Sequence, residues 1–274
     1  MTPEEWIGKS FTVEKKLSAE IYQSFNECMG RTDAMVEEGG SLPPYGHWLY
    51  FTEGESGQPL LPSIQNGNYF WQEGTLELES ALRVGDLCQM NVQLTDFQKV
   101  PENQDSFIIH LNQNFRSNGK RIASEEHQIL FEAPDHESDR NDIRKISFDP
   151  DWIQEVDSNQ TDSLKKLSSQ LAGQALADLF ANARGSGSGQ NTITLAGPPA
   201  LVLLLDVFDY HFDSRAASRV SYKTSALTPA EGPLQIAGRD SDSYVTDLYL
   251  LNSNNQVLFS AGIRWISTWG TSRF

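Results

Sequence analysis

The sequence says the same thing twice, and this repetition constrains the fold more than any other feature. Leu42-Pro43-Pro44-Tyr45-Gly46-His47-Trp48-Leu49-Tyr50-Phe51 and Ala196-Gly197-Pro198-Pro199-Ala200-Leu201-Val202-Leu203-Leu204-Leu205 each run from a proline pair into an apolar stretch. Proline presets the dihedral of a first helical turn, where its missing N–H has no intrahelical partner to lose, so each stretch predicts the start of a helix. Four runs rich in Val, Ile, Leu and aromatics follow: 69–82, 87–100, 106–115 and 121–131 in the first copy, and 217–226, 232–239, 243–251 and 256–265 in the second. Asn118-Gly119 and Asn254-Asn255 stand where tight turns would join strands. The pattern predicts an α+β chain of two units, 1–140 and 141–274. Each wraps a four-stranded antiparallel meander around a hydrophobic helix, and a shared site is expected at their junction.

Other segments fill out this plan. Leu17, Ile21, Phe25 and Met29 recur every fourth residue, which suits one face of an amphipathic helix over 14–29. Residues 53–68 read as a loop, and the polar stretch 133–142, with Pro134, reads as the link between units. Leu164, Leu167, Leu171, Leu176 and Leu179 predict a helix ending near Gly185. The tract Gly185-Ser186-Gly187-Ser188-Gly189 is either a hinge or, the commoner case, a tolerated surface insertion. The helix predicted over 198–211 is apolar nearly all round, which implies burial on every side.

With 274 residues, 38% of them hydrophobic, the chain can bury a core without help from its two cysteines. Residues 1–9 lack the pattern of a secretory signal, and the longest apolar run, 198–207, is about half the ~20 residues of a membrane span. A cytoplasmic protein with no membrane span is therefore expected. A net charge of −16 opposes nucleic acid. The terminal Thr271-Ser272-Arg273-Phe274 only loosely matches a peroxisomal tripeptide. His211 with Asp206, Asp209 and Asp213 does not predict a metal site, because their helical offsets spread them around the axis.

Pro43-Pro44-Tyr45-Gly46-His47-Trp48-Leu49-Tyr50-Phe51, Trp71-x-x-Gly74-x-Leu76 and Leu82-Arg83-Val84-Gly85-Asp86 resemble the N-terminal half of the double-hotdog hydroxyacyl-thioester dehydratases and mesaconyl-CoA hydratases, the MaoC-like family. Gly197-Pro198-Pro199-Ala200-Leu201 resembles the start of that family's second helix. The resemblance implies a tandem hotdog with two antiparallel sheets, each around a central helix, acting on acyl thioesters. It also implies a catalytic Asn/Asp-plus-His segment before the second helix, and here the sequence departs: no histidine occurs between His136 and His211. The chemistry still needs a base for the proton alpha to a carbonyl and an acid for the departing hydroxyl.

His47, at a helix start among aromatics, is the strongest acid/base candidate, although a structural histidine is the commoner outcome. Tyr45 is a candidate proton donor, although a buried tyrosine with an ordinary partner is the commoner outcome. Trp48, Phe70 and Trp71 are candidates for lining the pocket, although Phe70 and Trp71, as strand residues facing a helix, fit the core at least as well; Asn191, with the neighbouring Thr192, is a candidate for holding a substrate oxygen. Gly197 could offer backbone to an oxyanion, although Pro198 and Pro199 lack amide hydrogens. Asp149, Asp151 and Trp152 read first as a turn. The expected activity is that of a cofactor-independent lyase or isomerase/cyclase on a hydrophobic carbonyl metabolite of polyketide-like or acyl-thioester type, in specialised metabolism. Two alternatives stand beside it: a dehydratase with relocated acid and base, and a binding protein without catalysis. Exposed sheet edges make a homodimer plausible.

Overall fold

A computed structural model describes residues 5, 7–31, 36–51, 68–100, 103–132, 145–157, 197–225 and 233–268. The link at 133–142, the helix predicted to end near Gly185, the Gly/Ser tract and Asn191 with Thr192 lie outside the described residues.

The first half contributes β1 (Ser10–Lys16), α1 (Ala19–Cys28), α2 (Gly46–Tyr50), β2 (Asn68–Leu78), β3 (Leu87–Val100), β4 (Asn103–Ser117) and β5 (Lys120–Glu132). The second contributes β6 (Trp152–Glu155), α3 (Pro198–His211), β7 (Arg215–Thr224), β8 (Gln235–Asp242), β9 (Val245–Leu251) and β10 (Val257–Ser267). Both predicted turns form: Asn118 and Gly119 have φ of 51° and 77°, and Asn255 has φ of 58°.

Among the described residues, all ten strands belong to one sheet, ordered β1-β3-β4-β5-β2-β7-β10-β9-β8-β6, which corrects the expectation of two separate sheets. The halves join where Glu73–Glu77 of β2 pair antiparallel with Arg219–Lys223 of β7. Two sheets would each have left a row of main-chain donors and acceptors open there, and joining them satisfies both rows. From its outer edge inward, the first half reads β1-β3-β4-β5-β2 and the second β6-β8-β9-β10-β7, the same connectivity twice.

The four-stranded meander is corrected as well. β3, β4 and β5 follow one another, but β2 pairs with β5 instead of β3. The segment after β2 does not fold back as a hairpin because its backbone bonds elsewhere: Leu42 N–H to Leu82 O, Val84 N–H to Gly40 O, Gly85 N–H to Leu17 O and Leu17 N–H to Asp86 O. β1 and β6 are strands that the apolar pattern missed. β1 displaces the first turns of the helix predicted over 14–29, because Ser10–Lys16 pair with Leu87–Gln93. The helix starts after Ser18 instead; Leu17, Phe25 and Met29 are buried, whereas Ile21 is 43% exposed. In α3, Ala200–Leu205 and Phe208 are buried, but Tyr210 is 73% exposed, so the last turn leaves the core and burial on every side holds only up to Phe208. Most of the buried apolar side chains of both halves form one continuous core, and Ala237, Leu251 and Val257 make a small separate cluster.

Candidate functional site

Strand alternation places Ala123, Glu125, His127, Ile129 and Phe131 of β5 on the inner face, and all five are buried. A carboxylate in such a place needs donors, and three converge on it. His47 Nε2 lies 2.5 Å from Glu125 Oε1, Trp48 Nε1 donates to the same oxygen at 2.7 Å, and His127 Nε2 lies 2.9 Å from Oε2. Burial alone would push the Glu125 carboxyl up. The His47 charge and the hydrogen bonds from His127 and His47 outweigh it and bring the group down to about 2, so Glu125 stays ionised. Helix α2 delivers His47 and Trp48 together from one turn.

The cluster continues into the second half. Tyr222 Oη on β7 lies 2.7 Å from His127 Nδ1 on β5, and β2 runs between those strands. The ring can cross because residue 74 is glycine: a Cβ there would sit 2.8 Å from Tyr222 Cε1 and Oη, and would strike Glu126 O. A bulge between Trp71 and Glu73 shifts the pleat by one residue and turns Trp71 to the face of Leu76, with its ring edge-on to His127 at 4.8 Å. Burial, followed by the charges of Glu125 and Glu73, raises the Tyr222 phenol well above its usual range, so it keeps its proton.

A cavity of about 360 Å³ opens beside this cluster, between the halves. Tyr22, Ser41–Pro44, His47, Leu78–Leu82, Ile122 and Ala123 line it from the first half, and Asp209, Arg215–Ser218, Ile266 and Thr268 from the second. A second buried cluster ties the halves together: Arg31 Nη2 donates to Asp206 Oδ2 at 2.6 Å, and the Tyr45 hydroxyl donates to Asp206 Oδ1. Burial outweighs the Arg31 charge and lifts the Asp206 carboxyl. Among the described residues, no group of three or more His, Cys, Asp or Glu is placed to hold a metal ion, and no helix is long and apolar enough to cross a membrane.

No family model matches the sequence, and no curated protein matches it. Solved structures do. The chain is similar to a MaoC-like dehydratase from Phytophthora capsici, with a TM-score of 0.63 at 10% identity over 95% of this chain and 96% of that one. It is similar to HtdX of Mycobacterium tuberculosis, with a TM-score of 0.60 at 13% identity over 94% of this chain and 100% of that one. An acyl-ACP thioesterase from Bacteroides thetaiotaomicron gives a TM-score of 0.52 at 8% identity over 97% and 100%. The chain has the hotdog fold of the MaoC-like dehydratases.

On this hotdog frame the candidate residues separate. His47 reaches both the cavity and Glu125. Tyr45 does not line the cavity; its hydroxyl is committed to Asp206, and burial together with the Asp206 charge raises it well above its usual range. Trp48 and Trp71 pack around the Glu125–His127 pair without lining the cavity, and half-buried Phe70 does not line it either. Gly197 has φ of 70° and sits against Trp71, where a Cβ would come within 2.7 Å of that side chain, so its glycine is needed for backbone conformation and close packing. Trp152 lies on β6 and stacks on His211, whose Nε2 is 2.6 Å from Gln154 Oε1. Sequence reasoning missed Glu125, His127 and Tyr222. The signal for the first two was in the chain: in the alternation of β5, they are the polar residues in positions otherwise filled by Ala123, Ile129 and Phe131.

Proposed function

We propose that the chain catalyses hydration or dehydration of a hydrophobic acyl thioester or related carbonyl compound bound in the cavity between its halves, with His47 as the proton-transfer group. The observation that carries this reading is the double position of His47: it lines the cavity while its Nε2 is bonded to the fully buried carboxylate of Glu125. With Nε2 held there, Nδ1 is the ring atom that exchanges a proton with the substrate. In dehydration, Nδ1 takes the proton alpha to the carbonyl. The same proton, or its replacement, then leaves with the beta hydroxyl as water, and the carbon–oxygen bond gives way to the double bond. The fold supports a thioester substrate, because proteins sharing it include two named MaoC-like dehydratases and one named an acyl-ACP thioesterase. Relocation of the acid/base group to the first half accounts for the missing histidine before α3.

An isomerase or cyclase would share the first proton abstraction, so the product decides between these activities. A cytoplasmic location, self-association and the division into hotdog units 1–140 and 141–274 belong to the same proposal.

The test incubates the protein with 3-hydroxyacyl and trans-2-enoyl thioesters and follows interconversion by mass spectrometry. His47→Ala would leave Glu125 short of a donor and destabilise the fold, so His47→Gln, whose amide can still donate to Glu125, is the better probe. It is expected to lower kcat/KM by about 10²-fold or more with the fold retained. Equal turnover in this variant removes His47 from the reaction; a rearranged product without hydration favours the isomerase; binding without turnover in the native protein favours a non-catalytic role.

A further inference from the structure

The proton transfer assigned to His47 uses one oxygen of Glu125 and leaves its second oxygen, His127 and Tyr222 without a task. These groups are contiguous. Tyr222 Oη is 2.7 Å from His127 Nδ1, His127 Nε2 is 2.9 Å from Glu125 Oε2, and Glu125 Oε1 is 2.5 Å from His47 Nε2. With Glu125 ionised, one placement of hydrogens satisfies all three contacts. The phenol O–H donates to Nδ1 of His127, whose Nε2–H donates to Oε2, and Oε1 accepts from His47 and Trp48.

We propose that Tyr222 is a positioning residue for His47, acting through His127 and Glu125 to hold the Nε2–H tautomer and present Nδ1 to the substrate. This rests on the reading of His47 as the proton-transfer group. The route is built to be rigid. Phe259 stacks on the Tyr222 ring at 5.5 Å and 15°, Trp71 stands edge-on to His127, and Gly74 leaves the gap through which the phenol reaches. The neighbouring charge on β2, Glu73, lies within 3.9 Å of Lys223. The positioning residue comes from the second half and the reacting one from the first, so the site is complete only when β2 and β7 are paired.

Tyr222→Phe keeps the ring and removes one hydroxyl. Imidazole nitrogen–proton correlation spectra of the full chain, assigned with His47→Gln and His127→Gln, read the tautomers without any substrate. In the native protein His47 and His127 are expected as Nε2–H. In Tyr222→Phe the His127 signals should become those of a tautomer mixture and the His47 signals should move with them. For hydration of trans-2-octenoyl-CoA, kcat is expected to fall about tenfold with KM unchanged within about twofold. Introduced into His127→Gln, where the link is already cut, Tyr222→Phe should change neither readout further. His47 signals that stay in place in Tyr222→Phe, or an equal further loss in the double variant, overturn the proposal. His127→Gln alone should also move the His47 signals, which keeps the test decisive if the tyrosine variant folds poorly. Shifted His47 signals in a protein that turns over no thioester uphold the coupling and sink the catalytic reading instead.

Discussion

Glu125 is the residue on which the electrostatics of the site turn. Its carboxyl is held at about 2, below the roughly 4.3 of an ordinary glutamate, so the folded state favours the ionised form. The sign follows by linkage: this contribution is whole above about pH 5 and is lost as the pH falls through the interval toward 2. Glu125→Gln is expected to lose about 2–4 kcal/mol at neutral pH, because it leaves donors facing a neutral amide. It should also flatten the fall in stability below pH 5. Urea denaturation at a series of pH values checks both, and an unchanged acid slope would show that Glu125 does not govern it. At this scale the sequence was half legible. His47 stands out from its position beside a helix start, and Glu125 and His127 follow from strand alternation. The role of Tyr222 depends on β7 lying next to β2, a long-range pairing that no local pattern encodes.

β2 shows how an element can be legible in kind and still hide what it does. Its hydrophobic run marks a strand, and Asn68–Leu78 is one, but the bulge at Trp71–Glu73 and the pairing with both β5 and β7 come from tertiary contacts. Gly74 is the position where this matters most. Gly74→Ala would press a methyl into Glu126 O and the Tyr222 ring, a backbone contact on one side and a buried aromatic on the other. The variant is expected to lose about 1–3 kcal/mol of stability, measurable as a lowered melting temperature. Stability equal to that of the native chain would show that the ring can move aside at little cost. β1 and β6 were missed for a related reason. Ser10–Lys16 carries too few apolar residues to signal a strand, and Trp152–Glu155 is too short, yet each completes a sheet edge.

At the scale of the whole molecule, the duplication was visible as a repeated sequence, whereas the strand order within each half and the fusion into one sheet were not, because edge-to-edge pairing leaves no periodic trace. The two halves share connectivity but not chemistry. Aligning Pro43-Pro44 with Pro198-Pro199 sets Val202 against His47. The inner face of β10 carries buried Phe259, Ala261 and Ile263, while the corresponding strand β5 carries Glu125 and His127. Duplicated geometry with a Glu125–His127 cluster in only one of the two halves, among the described residues, fixes a stoichiometry. Calorimetric titration with a non-hydrolysable thioester analogue should saturate at one ligand per chain, and two equivalents would mean that the apolar half also binds. A molecule built from two like halves would then count as a single site, with one half supplying the reacting group and the other the hydroxyl that orients it.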